Sequence, residues 1–193
     1  MIRKTCIFCA SSQKVDRVYF QAVQELAYLL AKNDIVVQYG GGAVGMMGEL
    51  AKTVMENNGE IIGVIPEFMI KMEWGNTNIT ELIVVKDMHE RKRRLIKDVD
   101  AVIALPGGCG TLEELSEVIT LKQLGQFIKP IIILNINKFF DPFIEFLNKM
   151  INEKFMREVH RDIWTVVEKP ENVLMAIEST PEWDPAIIKI AQI

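Results

Sequence analysis

A β-branched run that ends in three consecutive glycines decides the fold: residues 35–48 read IVVQYGGGAVGMMG. Branched apolar residues favour a strand, and the glycines permit a tight turn into a helix that is expected to end at Gly59. The same order of strand, turn and helix recurs along the chain. Strands are expected at residues 4–10, 35–39, 60–65, 82–85, 101–105 and 131–134, and helices at 16–31, 46–57, 88–97, from 111 onward, 141–152 and 170–177.

These strands are continuously apolar instead of alternating between apolar and polar residues, which is typical of a parallel sheet covered by helices on both faces. The sequence therefore predicts an α/β fold with a Rossmann-like, doubly wound and mainly parallel sheet. The chain has 193 residues, of which 49% are hydrophobic, so we expect a single domain over residues 1–193. Residues 66–80 are expected to form a loop or short helix at the sheet edge, and the tail from residue 181 is expected to be peripheral.

Charge and composition exclude several classes of function. The net charge of -4 provides no general attraction for nucleic acid or an anionic membrane surface. The longest wholly aliphatic stretch, residues 131–134, is far too short to span a bilayer, and the weakly apolar run at 6–10 is shorter than a signal peptide requires. We therefore expect a cytoplasmic protein without nucleic-acid or membrane partners. Cys6 and Cys9 have CxxC spacing but lie in a predicted strand, so we expect buried packing rather than redox or metal chemistry.

Two glycine-rich turns follow predicted strands, and each has two interpretations. The first, GGGAVG at residues 40–45, fits the G-x-G-x-x-G pattern that holds a phosphate, but its glycines could serve only the tight turn. The second, PGGCGTLEE at residues 106–114, offers free N–H groups from Gly108 to Thr111 for a phosphate. Alternatively, Thr111 and Glu114 have capping-box spacing, in which Glu114 only accepts a hydrogen bond from the Thr111 N–H. A dinucleotide-dependent dehydrogenase needs only one such turn and is disfavoured.

A cluster of cations stands at the start of the predicted helix 88–97, where residues 88–94 read MHERKRR. The helix macrodipole disfavours cations at this end unless an anion lies close. The alternative is a solvated basic face, which is the commoner role of such a run. Arg91 shares a helix side with Leu95 at i+4, which favours an inward orientation for Arg91. His89 is left without a role, because a helix cap, packing and acid–base chemistry are all open to it.

The runs PGGCGTLEE at 106–114, YGGGAVGMMG at 39–48 and MHERK at 88–92 together resemble the Lonely Guy (LOG) family of cytokinin riboside 5'-monophosphate phosphoribohydrolases, often labelled lysine decarboxylases. The resemblance extends from the turn at residues 9–12 to about residue 134. Ala10 stands where the family usually has glycine, and Cys109 fills a variable position. The resemblance implies hydrolysis of the N-glycosidic bond of an adenine-type nucleoside 5'-monophosphate, with no metal or organic cofactor, by a protein that is commonly a homodimer.

Residue roles also follow from the resemblance. Arg91 and Glu114 match the pair regarded as catalytic in the family. The positions that contact the nucleotide substrate match Gly41, Gly42, Glu73, Lys92, Gly108, Cys109, Gly110, Thr111, Leu112 and Thr120. The chemistry suits these residue types, because cleavage passes through an oxocarbenium-like sugar that a carboxylate such as Glu114 stabilises while it deprotonates water. Arg91 cannot serve as a base, so its expected role is electrostatic.

Two other classes of function remain open. One is a non-catalytic nucleotide or cofactor carrier, since related folds bind ligands without reacting. The other is a pyridoxal-phosphate lysine decarboxylase, which needs a Schiff-base lysine, and Lys92 is the sole lysine inside a motif. A homodimer is also expected because the helix from residue 111 is apolar on more than one face, although burial in its own core is the alternative. Those apolar residues are Leu115, Val118, Ile119, Leu121 and Leu124.

Overall fold

A computed structural model of the protein describes residues 1–72 and 74–186. Its strands are β1 (Lys4–Phe8), β2 (Val36–Tyr39), β3 (Ile61–Pro66), β4 (Glu81–Val85), β5 (Ala101–Ala104), β6 (Ile131–Leu134) and β7 (Thr165–Val167). Its α-helices are α1 (Arg17–Lys32), α2 (Gly45–Glu56), α3 (Glu67–Lys71), α4 (Met88–Leu95), α5 (Cys109–Gln123), α6 (Asp141–Asn152) and α7 (Val173–Ser179). Short 3-10 helices lie at Ile136–Lys138, Glu158–Ile163 and Pro170–Asn172.

Within the part of the chain that is described, the seven strands form one sheet in the order β4-β3-β2-β1-β5-β6-β7. Every neighbouring pair is parallel. The chain leaves β1 toward one edge through β2 and later returns to build β5 on the other side of β1. The order of the strands therefore reverses at β1, and the crevice at the carboxyl ends of β1, β2 and β5 is where such folds bind ligands.

Both faces of the sheet are buried, as the continuously apolar strands predict. Successive residues of β1 point to opposite faces, so Ile7 packs with Leu26 and Leu50 in one cluster. Phe8 packs with Leu115 in the other cluster. The first cluster includes residues of α1, α2 and α7, and the second includes residues of α4, α5 and α6. The prediction of an α/β, doubly wound parallel sheet is confirmed.

Some local predictions differ from the structure. Strand β7 was not expected, because a three-residue edge strand gives too short a pattern to recognise. Helix α5 begins at Cys109, two residues before the expected start. The tail is not wholly peripheral, since Trp183 is buried and its Nε1 donates to the carbonyl oxygen of Lys122 at 2.8 Å. Among the residues that the structure describes, no helix combines the length and apolar character needed to cross a membrane.

Candidate active site

A cavity of about 610 Å³ opens at the carboxyl ends of β1, β2 and β5, where the strand order reverses. The turns after these strands form its floor, and the first turns of α4 and α5 form one side. Its polar groups include the side chains of Arg91, Thr111 and Glu114. Its apolar lining, called the apolar wall below, consists of Ile7, Phe8, Val44, Met47, Ile65, Met69, Trp74 and Met88.

Arg91 points into this cavity and is held by three acceptors from three different elements. Its Nε donates to the carbonyl oxygen of Val64 in β3 at 3.1 Å, and its Nη2 donates to that of Gly40 at 3.3 Å. Its Nη1 donates to Oε1 of Glu114 in α5 at 2.9 Å. Arg91 is buried, so the alternative of a solvated basic face is wrong for this residue. These three bonds use three of the five guanidinium N–H donors and leave two for another partner.

Glu114 is a largely enclosed carboxylate, with a side chain that is 10% exposed, and its neighbours have opposing effects on its pKa. Burial raises the pKa of Glu114, and the Arg91 guanidinium opposes that rise by stabilising the charged form. The neighbouring Glu113 and Glu117 raise the pKa further through charge repulsion, and the net effect is a raised pKa. The contact with Arg91 uses Oε1, which leaves Oε2 outside the ion pair. A carboxylate with a raised pKa beside a fixed cation is typical of a general base.

The second glycine-rich turn leaves the first amides of α5 free of intrahelical partners. Gly108 is the N-cap, so the N–H groups of Cys109, Gly110 and Thr111 have no acceptor within the helix. Cβ atoms placed on Gly108 or Gly110 would meet nothing within 4 Å, which shows open space beside them. The amides and the helix dipole therefore offer an anion site one turn before Glu114.

The capping box, the alternative interpretation of this turn, does not form. The helix starts before Thr111, so Thr111 is not the N-cap, and Glu114 binds Arg91 instead of a backbone N–H. Thr111 is buried against Gly107, where a Cβ would lie 2.1 Å from its Oγ1. The side chain of Leu112 packs against the apolar cluster of its sheet face, and Leu112 is not among the residues that line the cavity.

The first glycine-rich turn has a mainly structural role. Its Ala43 N–H donates to the carbonyl oxygen of Trp74 at 3.2 Å, and the N–H of Met47 in α2 donates to that of Ala10 at 3.1 Å. Amides that already have protein acceptors are poorly placed to cradle a phosphate. The Ala43 and Met47 amides are therefore unsuited to a phosphate, and the alternative of a tight strand-to-helix turn accounts for their contacts.

The glycines of this turn differ from one another in what they contact. Gly42 lines the cavity. Gly41 has a φ of 76° and lies against β3, where a Cβ would be 3.2 Å from Cβ of Ile65. Gly45 has a φ of 64°, and a Cβ there would lie 2.3 Å from the carbonyl group of Ser11. Gly41 and Gly45 are thus required by conformation and close packing.

Four of the predicted substrate-contacting residues are not among those that line the cavity: Gly41 and Leu112, described above, and Lys92 and Thr120. Lys92 pairs with Oε1 of Glu113 at 2.6 Å and with Oε2 of Glu117 at 3.2 Å, and the hydrogen bond that it donates to Glu113 raises its pKa. Thr120 is exposed and donates to the carbonyl oxygen of Ser116 at 2.8 Å. It lies nine residues after Thr111, about 13 Å further along α5. Glu73 lies outside the residues that the structure describes.

Sequence reasoning missed two features of the site. One is Gly40, whose carbonyl oxygen accepts a hydrogen bond from Arg91. The other is Trp74, which lines the cavity because residues 74–76 run beside the first glycine turn: Gly75 forms a bridge with Gly42, and the Asn76 N–H donates to the Gly41 carbonyl oxygen at 2.9 Å. The glycine run gave a signal for the turn, and no pattern marked its contact with residues 74–76.

The three cysteines occupy two environments. Cys6 and Cys9 are buried, and burial raises the pKa of both thiols, with Glu114 adding to the rise. This agrees with the packing role predicted for the pair. Cys109 is exposed at the first position of α5 and lines the cavity. Across residues 1–72 and 74–186, no group of three or more His, Cys, Asp or Glu side chains is arranged to hold a metal ion.

Comparison with known proteins places these motifs in context. A family model described as "Possible lysine decarboxylase" matches residues 47–177. The chain is 37% identical to the cytokinin riboside 5'-monophosphate phosphoribohydrolase LOG2 of Arabidopsis thaliana over 189 residues, covering 97% of this chain and 89% of that protein. It is 39% identical to LOG of Oryza sativa subsp. japonica, covering 96% and 77% of the two chains.

A solved structure with a similar fold is that of the molybdenum cofactor binding protein from Rippkaea orientalis. Its TM-score is 0.70 over 93% of this chain and 97% of that chain. The sequence identity is only 20%, so the likeness concerns the fold alone.

Proposed function

This chain belongs to the Lonely Guy (LOG) family of phosphoribohydrolases, and from that premise we propose that it hydrolyses the N-glycosidic bond of adenine-type nucleoside 5'-monophosphates. Water adds to the anomeric carbon of the ribose, and the C–N bond breaks. The products are the free base, which takes up a proton, and ribose 5-phosphate. The observation that carries the proposal is the Arg91–Glu114 ion pair, in which each side chain is about 10% exposed, one helical turn from the free amides of α5.

The substrate phosphate binds the N-terminus of α5. The N–H groups of Cys109, Gly110 and Thr111 donate to its oxygens, and the helix dipole favours its charge. Glu114 follows Gly110 at i+4, so it lies on the same side of the helix about 6 Å further along. The ribose spans this gap, which brings the anomeric carbon toward the carboxylate. Binding of the phosphate thus orients the N-glycosidic bond, although the phosphate does not take part in the reaction.

Glu114 and Arg91 have different roles: Glu114 activates the attacking water, and Arg91 has an electrostatic role. The carboxylate stabilises the oxocarbenium-like sugar and accepts a proton from the attacking water. Arg91 remains protonated, so it cannot be the base. It holds the carboxylate in place through Nη1, and its two remaining N–H groups are available to the ribose oxygens or to the departing base. The apolar wall with Met47, Met69 and Trp74 then faces the base.

Adjacent glutamates provide a matched test. Glu114→Gln keeps an acceptor for Arg91 but cannot take a proton, so we expect release of adenine from AMP to fall about 100- to 10,000-fold with nucleotide binding retained. Glu113→Gln makes the same change one residue earlier, on a side chain that is half exposed and pairs with Lys92. It should leave turnover within about twofold, because it removes an exposed ion pair and keeps the Glu114 carboxylate in place.

Free adenine is measured by chromatography, with adenosine as a phosphate-free substrate that should react poorly. Full activity in Glu114→Gln would remove the carboxylate from the mechanism. Equal losses in both glutamine variants would point to a general effect on α5. A wild-type protein that binds AMP without releasing adenine would contradict hydrolysis.

The two alternative classes have less support. A carrier needs no buried carboxylate beside its anion site, whereas hydrolysis does. A pyridoxal-phosphate decarboxylase needs a lysine in the pocket, but Lys92 pairs with Glu113 and Glu117. In the described part of the chain, no lysine lines the cavity.

A homodimer and a cytoplasmic location are further parts of this proposal. Phe68, Met72 and Trp74 are large apolar side chains at least half exposed near the cavity, which supports their burial against a second copy. Helix α5, which was expected to form the interface, offers less exposed apolar surface to a second copy than its composition suggested. Leu115, Val118 and Ile119 lie in the core of their own chain, and Leu121 and Leu124 are half-buried.

A further inference from the structure

The residue that follows β2 leaves open the space in which the Arg91 guanidinium lies. Gly40 lines the cavity, and its carbonyl oxygen accepts the hydrogen bond from Nη2 of Arg91. A Cβ on residue 40 would be 2.4 Å from Nη2 and 3.6 Å from Cζ of Arg91. Real Cβ atoms essentially never approach another heavy atom closer than 3.0 Å. A side chain at position 40 and the present position of Arg91 therefore exclude each other.

The need for glycine at position 40 is steric and not conformational. Gly41 and Gly45 have positive φ values, which most residues avoid, whereas Gly40 is not among the glycines with a positive φ. Alanine can therefore adopt the backbone of residue 40 without strain. The other close neighbour is Sδ of Met47, 3.1 Å from the same Cβ, and this flexible side chain can move aside. The Arg91 guanidinium is the group that must yield.

Arg91 cannot yield without losing its contact with Glu114. Its guanidinium is fixed from three directions by Val64, Gly40 and Glu114. A shift large enough to relieve the overlap with residue 40 moves Nη2 away from its acceptor and rotates Nη1 away from the carboxylate. We propose that Gly40 is a positioning residue of the hydrolase: because it has no side chain, the Arg91 guanidinium can occupy the position in which it contacts the Glu114 carboxylate. This inference rests on the function proposed above.

The test is Gly40→Ala alone and combined with Arg91→Ala. Because a misplacement of about 1 Å at a catalytic group can lower the rate about 100-fold, we expect kcat on AMP to fall about that much, with a smaller change in KM. In the Arg91→Ala background the same alanine should change kcat less than about twofold, since the displaced group is gone. A Gly40→Ala enzyme within twofold of wild type, or an equal loss in both backgrounds, would overturn the proposal.

Gly59→Ala is the matched control. A Cβ on Gly59 would lie 2.8 Å from Cβ of Ala31 and 2.9 Å from Cγ1 of Val54, and none of these three residues lines the cavity. This variant should be less stable while the folded enzyme keeps its kcat. A loss of kcat equal to that of Gly40→Ala would show that any crowded glycine has the same effect, and would overturn the proposal.

A second readout separates this inference from the proposed function. Carbon-13 NMR titration of Glu114 needs no turnover, and Gly40→Ala should raise the pKa of Glu114 because the stabilising guanidinium moves away. The Arg91→Ala background should show no further rise. If the wild type releases no adenine, the proposed function fails, and this titration still decides the role of Gly40. If Gly40→Ala does not fold, folding of the double variant supports the steric conflict, and its failure to fold overturns it.

Discussion

The end of α5 that lies away from the cavity contains a buried lysine, and within residues 1–72 and 74–186 no carboxylate contacts it. Lys122 is 0% exposed, its Nζ donates to the carbonyl oxygen of Lys129 at 3.0 Å, and it lies 5.4 Å from the ring centroid of Trp183. Neither partner has a full negative charge. Burial lowers the pKa of Lys122 from 10.5 to about 8. We predict that Lys122→Met stabilises the protein at neutral pH.

The magnitude follows from the two pKa values. Their difference corresponds to about 3 kcal/mol, which the polar response of the protein interior reduces to about 2 kcal/mol. At pH 7 the lysine is protonated in both states, so the folded state bears this cost. Methionine has a similar length and keeps a contact with the Trp183 ring, but it leaves the Lys129 carbonyl oxygen without its donor, which costs about 1 kcal/mol. The expected net gain in the free energy of unfolding is about 1 kcal/mol.

Urea denaturation of both proteins between pH 7 and pH 10 provides the measurement. As the pH rises through about 8, the folded wild type releases its proton before the unfolded chain does, so its stability rises relative to the variant. The advantage of Lys122→Met should therefore shrink with pH. Titration of Cys6, Cys9 and Tyr39 occurs in both proteins and cancels in the difference. Lys129→Met, at an exposed side chain, should show no such trend. Destabilisation at pH 7, or a difference independent of pH, would refute the reasoning.

Two further predictions concern the cavity. Because the pKa of Glu114 is raised above 4.5 and the base must be ionised, kcat/KM on AMP should increase with pH along an acid limb that lies above pH 4.5. Glu113→Gln should move that limb to lower pH, because it removes a charge that raises the pKa of Glu114. A limb at or below 4.5 would contradict the assignment of Glu114 as the base. Iodoacetamide should alkylate Cys109 alone in the folded protein, since Cys6 and Cys9 are buried, and should abolish activity unless AMP is present. Mass spectrometry locates the label, Cys109→Ser should resist inactivation, and a fully labelled yet active enzyme would place Cys109 outside the substrate site.

Local sequence patterns were sufficient to predict the architecture. Continuous apolar runs such as residues 131–134 require burial on both sides, and glycines after a strand mark its carboxyl end. These signals act over a few residues, so they predicted the parallel sheet, the helices on both faces and the edge at which the cavity lies. The three motifs also indicated the family and named Arg91 and Glu114 before any geometry was considered.

Only the tertiary structure decided which groups meet. Arg91 contacts residues 23, 27 and 51 positions away along the chain, and Trp183 contacts Lys122 from 61 positions away. The carbonyl oxygens of Trp74 and Ala10 occupy amides that a motif alone would assign to a phosphate. The hydrophobic periodicity of a segment indicates which of its faces are buried. The partner of a given side chain depends instead on how segments that are distant in the sequence pack together. For that reason the sequence by itself specified the sheet and its functional edge, and packing determined that one glycine turn braces the site while the other remains open to an anion.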